Sequence, residues 1–297
     1  MAKEPIIKRY FDMDEGRWTK TKKDLGRLVE LINTLGGEYS LQLRENYFNI
    51  YYQGNSLAKV VPNKSGTYSV VINEKFAKDS VLTKLKRYAA SKPSEGARRS
   101  GEYVRFTVHP DNLHQFFRRS NIDSLSSKIR AVHYGEEIVF EQALITDNPP
   151  SKKFIIIDRQ VADHVSKAQM DLLALRRDSG DKPFHFQIIE VKLGRNKELL
   201  EKVGKQLNEY VKRVGEHIKD YAECYEKNYH QKKELGLFKP NLPDNIEIER
   251  AAETVEGLVV VCGYSQLGEK AISNLWRKVR ENGWNIEVRQ VPRLNLQ

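Results

Sequence analysis

The run Gly257-Leu-Val-Val-Val-Cys262 is apolar at every position after its glycine. A strand with one wet face alternates, whereas a strand apolar on both faces has to be covered on both. A sheet with helices layered on it supplies that cover, and the neighbouring segments have the periodicities it needs. Phe154–Ile157, Gln169–Leu175 and Phe184–Lys192 are strand-sized apolar runs, the last two joined by a polar turn over Arg176–Pro183 that predicts a hairpin. Asn196, a natural N-cap, precedes a helical pattern from Lys197 to about Leu235. After the polar loop Lys239–Asp244 and the buried strand come a helix over Gly268–Asn282 and a strand over Trp284–Arg289. Upstream, Ser124–Ile145 has helical spacing interrupted near Gly135 and stopped by Asn148-Pro149-Pro150. The order helix, three strands, helix, strand, helix, strand predicts a mixed α/β domain over 121–297.

The front of the chain reads differently. Leu25, Leu28, Val29, Leu31, Ile32 and Leu35 make an apolar stripe on a helix expected over Lys20–Leu35, ended by Gly36-Gly37. Tyr39–Arg44, Tyr47–Tyr52, Leu57–Val61 and Gly66–Val71 follow as short β-rich segments separated by turn residues, a small antiparallel meander. A polar, turn-rich stretch, Ser91–Gly101, reads as a loop. Together these define an expected α+β domain over 1–115. Tyr47, Phe48, Tyr51 and Tyr52 interleave with basic residues, a pattern that serves base stacking or cross-strand packing, and packing is the expectation.

Charge separates the two regions. Residues 1–120 hold 22 basic and 13 acidic side chains, the remainder 28 and 27. A basic front half beside a balanced back half points to a polyanion, with nucleic acid the expected partner, since Lys and Arg neutralise phosphates. Hydrophobic residues are 39% of the 297, enough for a core. No apolar run reaches the ~18–20 residues of a membrane span, and the N-terminus lacks the layout of a signal peptide. Neither of the two cysteines, Cys224 and Cys262, is in a CxxC pair. A cytoplasmic protein without membrane contact is expected. His133, His185, His217 and His230 show no HxxxH or HExxH spacing, and the glycines form no phosphate-binding loop, so zinc hydrolase and P-loop chemistry are not indicated.

Asp171 stands inside an apolar run, where a carboxylate needs a partner or a purpose. Glu190 and Lys192, one residue apart near the end of the following strand, point to the same face. If the two strands are neighbours, Asp171 and Glu190 converge at the sheet's edge with Lys192 beside them. Two carboxylates and nearby carbonyls form a hard oxygen site suited to Mg²⁺, and an ammonium can hold a water or steady charge on phosphorus. Gln206 and Tyr210 are four apart on the next helix and share its face. Asp158-Arg159-Gln160 and Asp163-His164 read as turn chemistry plus a salt bridge.

Asp171, eighteen intervening residues and Glu190-Val191-Lys192 resemble the signature of the PD-(D/E)xK nuclease superfamily, with Met170 at the nominal proline. Gln206-Leu207-Asn208-Glu209-Tyr210 resembles the QxxxY motif of its RecB-like branch. The resemblance covers about 121–297. It implies a restriction-endonuclease-like αβββαβ core and Mg²⁺- or Mn²⁺-dependent phosphodiester hydrolysis, in DNA rather than RNA. It further implies metal ligation by Asp171, Glu190 and the Val191 carbonyl, joined by Glu137 or Glu141 from the preceding helix. Lys192 would position the attacking water, with Gln206 and Tyr210 orienting the lysine or the substrate. A homodimer stays open. The rival readings are a catalytically inactive DNA-binding or protein-interaction module of the same fold, and an RNA-directed nuclease.

Overall fold

The computed structural model describes residues 5–77, 79–89, 98–100, 102–132, 135–164, 169–179, 182–263 and 266–291. These residues form a mixed α/β structure in two compact units, Arg9–Ile138 with His230–Pro240, and Met1–Lys8 with Val139–Tyr229 and Asn241–Gln297. No helix among the described residues is long and apolar enough to cross a membrane.

In the front unit, helix α1 (Glu15–Thr34) starts five residues before the expected position because the Asp14 carboxylate caps it, accepting from the Arg17 N–H at 2.9 Å. It ends where Gly36 takes φ 82°, a conformation that favours glycine. Strands β1 (Tyr39–Arg44), β2 (Tyr47–Tyr52), β3 (Asn55–Pro62) and β4 (Tyr68–Asn73) form the expected meander. Helix α2 (Asp79–Lys86), then β5 (Arg98–Ser100) and β6 (Tyr103–Val108), complete a six-stranded antiparallel sheet of order β1-β2-β3-β4-β6-β5. Of the loop expected over Ser91–Gly101, Arg98–Ser100 are thus a strand and the rest lies outside the described residues, as do His133 and positions 180–181 of the hairpin turn.

One face of this sheet, with Phe48, Ile50, Val60, Val70, Ile72, Val104 and Phe106, packs in a core shared with α1, α3 (Pro110–Phe116) and α4 (Arg119–Val132). Ile122, Leu125 and Ile129 of α4 are fully buried in it. The front unit therefore runs beyond the expected limit of 115, and the helical pattern expected over Ser124–Ile145 is interrupted near Gly135 as expected, between α4 and α5 (Glu136–Asp147), with the boundary of the units inside α5. At the other end, Ile6 and Ile7 are buried in the back unit, where the Ile6 carbonyl accepts from the His164 N–H at 2.8 Å.

The back unit carries strands β7 (Phe154–Val161), β8 (Met170–Arg176) and β9 (His185–Leu193), helices α6 (Glu198–Glu201), α7 (Val203–Glu216) and α8 (Ile218–Glu234, whose last turn belongs to the front unit), then β10 (Glu256–Cys262), α9 (Gln266–Glu281) and β11 (Ile286–Gln290). The sheet order is β11-β10-β9-β8-β7, antiparallel from β7 to β9 and parallel from β9 to β11. Leu258–Cys262 are buried throughout, as a strand apolar on both faces requires. The long helix expected from Lys197 breaks twice, at Lys202 (φ −140°) and His217 (φ −118°).

Where α7 crosses β10 the sheet has no room for a side chain at position 257. A Cβ on Gly257 would meet Ile286 Cγ1 at 2.9 Å and Leu207 Cγ at 3.0 Å. Gly257→Val is expected to cost about 1–3 kcal/mol through overpacking, read as a lower urea midpoint. An unchanged midpoint would mean that α7 can lift off β10 freely.

Candidate active site

The ladder between β8 and β9 runs from Arg176/His185 to Leu172/Ile189 and stops there, one residue before Asp171. Beyond that point the Asp171 side chain replaces the backbone partner: its Oδ2 accepts the Val191 N–H at 2.8 Å. An amide and carbonyl of one residue serve the same side of a strand, so the Val191 carbonyl also lies on the Asp171 side. Strand separation thus leaves a carboxylate and a carbonyl where two ordinary ladder bonds would be.

Glu190 and Lys192 share a face as period-two geometry requires. Lys192 Nζ is 3.1 Å from Glu190 Oε2 and 3.7 Å from Asp171 Oδ2, with the lysine and glutamate side chains only 8% and 1% exposed. A third acid, Glu198 at the start of α6, is 3.9 Å from the same ammonium. Its N–H is held by Asn196 Oδ1 at 2.9 Å, so the expected cap acts two residues ahead of the helix. Glu198 has no signal in the sequence beyond its place in a helical first turn.

Three carboxyl groups here face one ammonium. Burial first, and then the Asp171 charge, push the Glu190 carboxyl up to about 8, against the opposing pull of Lys192. Glu190 Oε1 is buried with no hydrogen-bond partner. An orphaned carboxylate oxygen is costly, and with the Asp171 carboxylate and Val191 carbonyl it makes a donor set of hard oxygens. These residues fit Mg²⁺ or Mn²⁺.

Glu141 of α5 stands close by and is already engaged. It is buried, with Oε2 3.0 Å from Arg159 Nη2, while Arg159 Nη1 donates to Gln142 Oε1 at 2.7 Å. Burial raises its carboxyl to about 7, Arg159 opposing and the Asp171 charge adding to the rise. Glu137 lies with the front unit. Among the described residues no group of three or more His, Cys, Asp or Glu side chains is arranged to hold a metal ion. The oxygens the chain offers there are two carboxyls, Asp171 and Glu190, and a carbonyl, a set that would leave room for the waters Mg²⁺ keeps.

Arg159, which in sequence reads as turn chemistry plus a salt bridge, forms its ion pair from within a strand. Strand β7 continues past Ile157 through Asp158 and Arg159, with a bulge after Ile156 and Gln160 at φ 49°, instead of turning there. Both charged side chains are buried and paired, Asp158 Oδ2 accepting from Tyr225 at 3.0 Å. Asp163 is likewise clamped by Arg213 of α7 and by Tyr221. The expected salt bridges are present, Arg159 to Glu141 and Asp163 to Arg213; what differs is that Asp158 and Arg159 lie within β7 and not in a turn.

Gln206 and Tyr210 touch each other: Gln206 Nε2 donates to the Tyr210 hydroxyl at 2.9 Å, which donates to the Gln169 carbonyl at 3.3 Å, two residues ahead of Asp171. Tyr210 is 5% exposed, and burial first, with Glu190 and Asp171 adding, raises its hydroxyl above the usual tyrosine range. Tyr210→Phe cuts the link from α7 to the start of β8. The expected result is a roughly tenfold lower rate of any reaction at Asp171 with substrate affinity unchanged, and a stability loss of about 1 kcal/mol. Separate rate and affinity measurements test this, and an affinity loss equal to the rate loss would remove Tyr210 from a positioning role.

Neither a family model, nor a curated protein, nor a solved structure matches this chain.

Proposed function

We propose that the chain is a metal-dependent nuclease hydrolysing phosphodiester bonds in DNA at the β8–β9 divergence. The observation that carries this is the Asp171–Glu190–Lys192 group, buried at Glu190 and Lys192, with an unpartnered oxygen on Glu190. The resemblance of Asp171…Glu190-Val191-Lys192 and Gln206…Tyr210 to the PD-(D/E)xK signature supports it, as does the element order α5, three antiparallel strands, helices, β10.

Asp171, Glu190 and the Val191 carbonyl are the residues that would hold Mg²⁺. Bound there, the ion would polarise a phosphate oxygen and lower the pKa of a coordinated water. The chain's own groups do the rest. Asp171, fixed by the Val191 amide, keeps its carboxylate aimed at the space between the strands. Lys192, held by carboxylates on two sides, presents an ammonium to the attacking water or to a non-bridging oxygen as negative charge develops. The Gln206–Tyr210–Gln169 chain holds the beginning of β8 in register with that space.

Cleavage of circular and linear DNA in Mg²⁺, Mn²⁺ or EDTA tests the reading. Metal-dependent products are expected, and the contrast between the two substrates shows whether free ends are needed. DNA binding without products in any metal would overturn it in favour of a docking module, and cleavage of RNA alone would change the substrate.

A further inference from the structure

The front sheet packs one face in its core; the opposite face is buried at Gln42, Arg44, Tyr51 and Ser69 but carries a particular set of partly exposed side chains across β2, β3, β4 and β6. Register places Asn49, Lys59, Val71 and Arg105 side by side across β2, β3, β4 and β6. The flanking positions of the same face are Tyr47 and Val61 on one side and Asn73 opposite Tyr103 on the other. With Asn55, Ser56 and Phe76 they line a cleft of about 650 Å³ that contains no acidic residue. Its size is that of a site for a small ligand or a segment of a longer one.

Two cations stand in this cleft without a counter-charge. Lys22 and Arg119 of the front unit are paired with acids, but among the described residues neither Lys59 nor Arg105 forms an ion pair. Lys59 is half-buried, its Nζ 3.8 Å from the centre of the Tyr47 ring. Burial first, and then Arg105, pull its ammonium below the usual lysine range. A desolvated cation facing another cation is relieved by an anion. The tyrosines add the second requirement. Phe48, Tyr51 and Tyr52 are buried as packing expects, but Tyr47 is half-exposed and Tyr103 is 49% exposed. Lys59 and Arg105 lie two strands apart, about 10 Å by sheet spacing, so the row suits an extended ligand that alternates charge with flat apolar surface.

We propose that this face binds single-stranded DNA, Lys59 and Arg105 taking backbone phosphates while Tyr103 stacks on an unpaired base. Single strand is chosen because a base in a duplex has both faces covered, whereas an unstacked one can lie on a tyrosine. The choice of DNA over RNA rests on the proposed nuclease reading; the choice of a single strand does not.

Binding of the full chain to a labelled 12-mer of thymidylate, to a 12-base-pair duplex and to a 12-mer of uridylate is measured by anisotropy in EDTA, so that hydrolysis does not enter. Lys59→Gln and Arg105→Gln are each expected to weaken single-strand binding about tenfold and to lower the salt slope by roughly 0.7. Tyr103→Ala is expected to weaken it at least about fivefold. None of the three lies in the core, so each variant should still unfold cooperatively and keep, within twofold, the wild-type duplex affinity. Variants that bind the thymidylate strand as wild type does would overturn the proposal, as would equal losses for strand and duplex. Tighter binding of the uridylate strand would overturn the DNA assignment. Because the readout is metal-free binding, failure here is distinct from failure of the nuclease, which is read as missing products.

Discussion

Glu190→Gln is expected to lower metal-dependent DNA cleavage by about 10²–10³-fold and, in EDTA at pH 8, to raise the melting temperature. The two effects have one cause. In the metal-free protein Glu190 is buried beside Asp171 with one oxygen unpartnered, and its carboxyl is raised to about 8. An unfolded glutamate titrates at about 4.3. Between those values the native state binds more protons than the unfolded state, so this residue lowers stability as pH rises from about 5 to 8. Glutamine keeps the shape and removes the proton linkage, so that part of the slope disappears and the two proteins converge near pH 4. Thermal melts of both between pH 4.5 and 8.5 in EDTA check it. A glutamine variant less stable than wild type at pH 8 would show that Glu190 is ionised and held by Lys192, and the account of the site's charge would fail.

Lys192→Ala distinguishes the roles inside the group. It removes the cation facing Glu190, Asp171 and Glu198, so cleavage is lost while the front sheet's cations, and DNA binding through them, are untouched. Equal loss of cleavage and binding would place Lys192 in substrate capture instead.

What the sequence made legible follows from the range over which its signals act. Asp171, Glu190 and Lys192 were readable because a hairpin and a period of two fix where their side chains go, and Gln206 and Tyr210 because four residues make one helical turn. Glu198 was not, since its approach to Lys192 depends on how the chain turns between β9 and α6. Asp158 and Arg159 were misread as a turn for a physical reason: charged residues end strands unless distant partners pay their desolvation, and Tyr225 and Glu141 are 67 and 18 positions away. The domain limit moved for a similar reason. The apolar stripe of α4 was visible, but which core it fills was not.

The largest expected loss of stability lies away from Asp171, Glu190 and Lys192, in the pair Arg159–Glu141. Arg159 has a fully buried side chain, and its guanidinium holds both Glu141 and Gln142, joining β7 to α5. Arg159→Met keeps much of the volume but strands a buried carboxylate, which costs about 3–5 kcal/mol. The sign of its pH dependence follows from Glu141, raised to about 7 with the arginine present and driven higher without it. Below an unfolded glutamate's pKa, Glu141 is neutral in both states and the variant's deficit is smallest; it widens as pH rises through neutrality. Adding Glu141→Leu should recover more than half of the loss, because an apolar pair avoids the charge burial that made the single change costly. Urea titrations of the single and double variants at pH 5 and 8 measure all of this. A deficit independent of pH, with no recovery in the double variant, would show that Arg159 acts by packing and not by holding the charge of Glu141.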